Sequence, residues 1–133
     1  MRVLALDYGS ARCGCAVSDP TGVLATPIDP IAAPRSRRAL ARLRELVGEL
    51  GIERVVVGLP ISLAGGDSTQ TAETRHFAAM LERELAIPVE LYDERLTTRL
   101  AARIGGRANE DSRAAAHLLE SWLTARGVPG GPA

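Results

Sequence analysis

The sequence predicts an α/β fold, a five-stranded mixed sheet in the order 3-2-1-4-5 with helices on both faces. Three observations predict it. Two short apolar runs, residues 2–7 and 12–18, are joined by the turn Tyr8-Gly9-Ser10-Ala11 and read as a hairpin. Residues 54–59, Arg-Val-Val-Val-Gly-Leu, are apolar on both faces, as a central parallel strand must be. Helical periodicity precedes and follows that run, and a strand-helix-strand crossover demands parallel, right-handed pairing.

Each element has its own signal. Asp19-Pro20-Thr21-Gly22 is a turn. Residues 23–31 read as a third strand, and Pro27 and Pro30, which cannot donate to a ladder, put it at an edge. Pro34 suits the first turn of a helix carrying Leu40, Leu43, Leu46, Val47 and Leu50, and Gly51 ends it. After the loop 60–66, Asp67 and Gln70 resemble a capping box for a second helix with the stripe Phe77, Met80, Leu81 and Leu85. Residues 88–93 form the last strand. A short helix is expected from about Thr98, broken by Gly105-Gly106, and a final helix over residues 111–126. Residues 1–126 are expected to be one domain and the Gly/Pro-rich residues 127–133 a flexible tail.

Composition excludes several classes. The 133 residues are 46% hydrophobic with zero net charge, so the chain is globular and has no global attraction to nucleic acid. Any such binding rests on a local patch. Cys13 and Cys15 read as small apolar strand residues, since near neighbours on one strand lack disulfide geometry. There is no charged leader with a cleavage site and no apolar run near ~20 residues. The expectation is a soluble cytoplasmic protein without membrane contact. Aromatic residues are few, so base stacking rests at most on Tyr8 and Tyr92. His76 and His117 lie off the best apolar stripes and receive no catalytic role.

The chemistry resides in Asp7, Glu94 and Asp111. Asp7 closes the first strand, Glu94 closes the fifth, and Asp111 opens the last helix, four residues before Ala115 on its inward stripe. The predicted sheet brings all three to one end of the molecule, at the switch point between strands 1 and 4. Each has a structural alternative. Asp7 can satisfy turn amides, Glu94 can pair with Arg95 or Arg99, and Asp111 can cap its helix. Clustered carboxylates repel one another, and divalent magnesium or manganese resolves the repulsion. Two such ions ~4 Å apart supply water activation and stabilisation of the leaving oxygen in phosphodiester hydrolysis. Gly9 and Ser10 allow close backbone approach to a phosphate. Arg12 and Arg95 are candidate phosphate ligands.

The segment Asp7-Tyr8-Gly9-Ser10-Ala11-Arg12-Cys13-Gly14 resembles the opening motif of the YqgF, or RuvX, family of resolvase-like and pre-16S rRNA nuclease proteins. Val57-Gly58-Leu59-Pro60 is similar to its second motif, and Asp93-Glu94-Arg95-Leu96-Thr97-Thr98 to its most specific one. The stretch beginning Asp111-Ser112-Arg113-Ala114-Ala115 resembles its closing helix. The resemblance spans residues 2–124. It implies a ribonuclease H-like fold and a metal-dependent nuclease using Asp7, Glu94 and Asp111, with two Mg2+ or Mn2+ ions. It implies processing of the 5′ end of pre-16S rRNA, a structured RNA, or alternatively cleavage of branched four-way DNA. One departure bears on substrate grip: residues 99–110 are short for the family and carry only Arg99, Arg103 and Arg107 as basic residues. Other classes are a non-catalytic RNA-binding module of the same fold and a nucleotide-binding relative of the actin-like fold, which needs two such domains. The oligomeric state is open.

Overall fold

The computed structural model describes residues 1–61, 68–97 and 110–126, the side chains of Glu110 and Asp111 excepted. The described elements run β1 (Val3–Asp7), β2 (Arg12–Ser18), β3 (Ala25–Ala32), α1 (Arg37–Leu50), β4 (Arg54–Leu59), α2 (Thr69–Leu85), β5 (Val89–Asp93), a 3₁₀ turn (Glu94–Leu96) and α3 (Glu110–Ala125). The sheet order is β3-β2-β1-β4-β5, as expected. β1 is antiparallel to β2 and parallel to β4, and β4 is parallel to β5.

Strand alternation divides the core between the two faces. Leu4, Leu6, Val55 and Val57 face α1 and α2, where Leu43, Phe77 and Leu81 are buried. Val3, Ala5 and Val56 face α3, under Ala115, Leu119, Trp122 and Leu123. Trp122 alone removes roughly 200 Å² from water, about 5 kcal/mol as an upper figure. Its indole Nε1 donates to Glu90 Oε2 at 3.2 Å, so the ring is buried with its polar atom satisfied. Asp7 follows Val3 and Ala5 on the α3 face. Cys13 and Cys15 are buried in the other layer, and the neighbouring thiol and burial push the Cys13 pKa well up.

Helix boundaries follow local chemistry. α1 starts at Ser36, whose side chain accepts from Ala39 N, two residues after Pro34. Gly51 ends α1 with φ 64°, a conformation favouring a residue without Cβ. The cap of α2 differs from the expected Asp67 and Gln70. Ser68 accepts from Thr71 N, and Thr71 reaches back to the Ser68 N–H. Thr71 fills the Glu/Gln position of the box because its hydroxyl also donates to the Pro60 carbonyl. Asp67, the short helix expected from Thr98 and the tail 127–133 lie outside the described residues. After β5 the chain forms the 3₁₀ turn Glu94–Leu96, capped by Asp93.

One junction fixes α3 to the sheet. The β2–β3 register shifts between Cys13 and Cys15, where β3 sets Asp29 and Pro30 opposite Gly14. The Ser112 hydroxyl fills the interruption. It accepts from Cys15 N at 3.2 Å and donates to the Ile28 carbonyl. Ser112 is fully buried, and it holds the first turn of α3 against the two strands. Ser112→Ala leaves both backbone groups unpaired in the interior. The expected cost is about 1–3 kcal/mol, read as a lowered urea midpoint with unchanged m-value.

Candidate active site

β1 and β4 run parallel in register, with Leu6 beside Val57, so Asp7 and Gly58 end up adjacent at the carboxyl edge of the sheet. β5 carries the chain to the same edge, where Gly58 pairs with Tyr92 and Leu59 with Asp93. The 3₁₀ turn then begins with Glu94. Asp93 takes Arg95 for itself: its carboxylate accepts from Arg95 N at 2.9 Å and from the guanidinium at 2.7 and 3.1 Å. These bonds lower the Asp93 pKa. They also remove Arg95 from Glu94, whose side chain lies across Gly58 towards Asp7.

The space for Glu94 depends on a missing methyl group. A Cβ on Gly58 would stand 2.9 Å from Glu94 Oε2, 3.1 Å from Glu94 Cγ and 3.2 Å from Leu118 Cδ2. Glycine at 58 therefore lets a carboxylate and a leucine meet over the central strand. At the opening turn, a Cβ on Gly9 would stand 2.7 Å from the Arg12 carbonyl oxygen, so the hairpin requires glycine there.

Glu94 and Asp7 are hydrogen-bonded carboxyls. Burial first, then the Asp7 charge and the hydrogen bond to Asp7, push the Glu94 pKa from 4.5 to about 7. At neutral pH the pair therefore holds a proton for a substantial part of the time. The sign follows for stability. The unfolded chain ionises Glu94 near 4.5 and the folded chain near 7, so the metal-free fold loses stability as pH rises through that window.

Asp7 and Glu94 line a cavity of about 360 Å³ together with Thr97, Arg113, Ala114, His117 and Leu118. Asp111 is the second residue of α3, the helix that supplies four of these lining residues; its side chain lies outside the described residues. Gly9, Ser10, Arg12 and Arg95 are not among the residues lining this cavity, and Ser10, Arg12 and Arg95 are exposed. Sequence reasoning missed Thr97, Arg113 and His117. For Arg113 and His117 the signal was helix phase, since they are four apart and flank Leu118, which faces the sheet. Tyr8 is removed as a stacking platform, since its ring packs on Phe77 with centroids 4.8 Å apart in the core.

This sheet order, with a half-buried acid pair at the carboxyl edge of its central strands, is a ribonuclease H-like fold, and its family and relatives mark the chain as a phosphodiester hydrolase. The fold is shared with the Thermus thermophilus RuvC solved with a Holliday junction substrate, at a TM-score of 0.67, 18% identity and 95% coverage of both chains. The chain belongs to the RuvX family, described as Holliday junction resolvase, which matches residues 1–125. It is 39% identical to a Koribacter versatilis protein over 96% of this chain and 89% of that one. It is 46% identical to a Mycolicibacterium paratuberculosis protein over 94% and 81%. Both relatives carry the provisional name pre-16S rRNA nuclease.

Gly58→Ala tests the geometry of the pair. The added methyl displaces Glu94 from Asp7, at a stability cost of about 1–3 kcal/mol. In metal-free protein, the carboxyl resonance of Glu94 followed by NMR is expected to titrate well below 7 in the variant and near 7 in the unmutated chain. An unchanged titration contradicts the displacement.

Proposed function

We propose that this chain is a divalent-metal-dependent nuclease that processes the 5′ end of pre-16S rRNA, with Asp7, Glu94 and Asp111 as its metal-holding acids. The observation that carries the reading is the hydrogen-bonded Asp7–Glu94 pair in an open cavity, with Glu94 pushed to about 7. Two carboxyls that crowd until they share a proton form an all-oxygen donor set suited to Mg2+ or Mn2+. The residues present therefore fit the group. A bound divalent cation supplies charge neutralisation of the phosphodiester and activation of the attacking water.

The chain's own residues do the rest. Asp7, paired with Gly14 of β2 at the end of a central strand, anchors one side of the cavity. Glu94 lies over Gly58, where the missing Cβ leaves space for its carboxylate. Glu94 also accepts and holds a proton near neutral pH when no cation competes for it. Asp111 enters on α3, whose first turn is locked to the sheet by Ser112.

Substrate choice rests on the relatives. Those at 39 and 46% identity, aligned over most of both chains, are named for pre-16S rRNA. A second reading, resolution of four-way DNA, rests on the family description. It requires a symmetric dimer with two sites. No helix among the described residues is long and apolar enough to cross a membrane.

Incubation of a 5′-extended 16S rRNA precursor and of a four-way DNA junction with the protein in Mg2+ separates these readings. Cleavage of the RNA, its loss in chelator and its reduction on the order of a thousandfold by Asp7→Asn are expected, because such a ligand set contributes several kcal/mol to the barrier. Cleavage of the junction alone favours the second reading. Equal turnover by Asp7→Asn removes the proposed site.

A further inference from the structure

The cavity has two unlike walls. The sheet side carries Asp7 and Glu94, and the α3 side carries Arg113 and His117, one helical turn apart, with Ala114 and Leu118 between and beside them. Thr97, the residue after the 3₁₀ turn, completes the lining. Its Oγ1 is buried and has no hydrogen-bond partner among the described residues. An unsatisfied buried hydroxyl costs stability, and at a concave site the missing partner is commonly a ligand atom.

A phosphodiester brought beside two carboxylates is repelled by them. A cation between acids and phosphate removes part of that repulsion, and the phosphate then needs donors on its far side. The α3 wall has that chemistry. The Arg113 guanidinium offers a planar fork of N–H groups that matches two phosphate oxygens and stays charged at every working pH. His117 has an N–H donor whether its ring is neutral or charged. Thr97 has an O–H whose acceptor has yet to be filled. Arg95 is not among the lining residues. Arg12 is exposed and is not among the lining residues.

We propose that Arg113, His117 and Thr97 form a phosphate-binding wall that holds the scissile phosphodiester of RNA against Asp7 and Glu94. The inference rests on the nuclease reading above. It transfers substrate grip from residues 99–110, which carry three arginines, to a helix whose first turn Ser112 locks to the sheet. Arg113 gives charge and direction, Thr97 gives direction only, and His117 gives a directed N–H in either protonation state.

Binding of the 5′-extended 16S precursor RNA, followed by fluorescence anisotropy with Ca2+ in place of Mg2+ at several salt concentrations, tests this without turnover. Arg113→Ala is expected to weaken binding about tenfold and to reduce the slope of log K against log salt by about 0.7, the value for one single-strand phosphate contact. Arg113→Lys restores the slope and only part of the affinity. His117→Gln and Thr97→Val weaken binding about two- to fivefold, with the slope unchanged for Thr97→Val. Arg42→Ala, on the outer face of α1, serves as the control with unchanged binding. Near-UV circular dichroism checks folding, and Arg113→Gln replaces Arg113→Ala if the latter unfolds. Wild-type affinity and slope in a folded Arg113 variant, or lost affinity without a change of slope, overturns the proposal. Cleavage by the unmutated chain alongside such a result leaves the nuclease reading standing. Absence of both RNA binding and cleavage in the unmutated chain overturns both.

Discussion

The close approach of Asp7 and Glu94 is the constraint around which this molecule is arranged. Two carboxyls in hydrogen-bond contact repel when both are ionised, and burial first, then the Asp7 charge and hydrogen bond, raise Glu94 to about 7. Folding has to impose the approach from outside. It does so with the stiffest parts available: β1 is paired on both sides, and β4 beside it presents a glycine where a side chain would block Glu94. The bidentate Asp93–Arg95 pair occupies the one neighbouring cation that could relieve Glu94 from its own turn. Strained acids of this kind mark functional sites more often than structural ones. The fold keeps the cost local by packing α3 over the rest of that face with Trp122, Leu119 and Leu123.

Much of this was legible in the sequence because the strands announce themselves. Val55, Val56 and Val57 cannot all be buried unless both faces of the strand are covered, and that single fact sets β4 at the centre. Pro27 and Pro30 place β3 at the edge, and Pro30 also lies at the register shift that Ser112 fills. That second role was invisible, because it depends on a helix eighty residues away in the chain. The cap of α2 was misplaced by one residue for a related reason. Ser68 and Thr71 are chosen over Asp67 and Gln70 because Thr71 also serves the Pro60 carbonyl, a tertiary demand that no local pattern reports.

The meeting of Asp7 and Glu94 was legible in the sequence, and the α3 residues that share their cavity were not. Carboxylates at strand ends stand out against apolar runs, and strand alternation already put Asp7 on the face that α3 covers. Arginine is the opposite case. The chain's 16 basic residues are all arginine, so position in the sequence says little about which of them meets a phosphate. Arg12 and Arg95 were selected for proximity to the acids along the chain. In three dimensions Arg95 pairs with Asp93 outside the cavity, and Arg113 and His117 line it together with the acids. Their helix was read for its apolar stripe, and the flank of that stripe is the wall of the site.

On the proposed function, a divalent cation and a proton compete for the same acid pair. Titration of the protein with Mn2+ in buffers of differing ionisation enthalpy measures the protons displaced. With Glu94 near 7, binding at pH 7 releases roughly half a proton per chain, approaching one at lower pH and falling towards none above pH 8. Glu94→Gln abolishes the release. Binding that releases no proton at any of these pH values, or the same release from Glu94→Gln, contradicts the account.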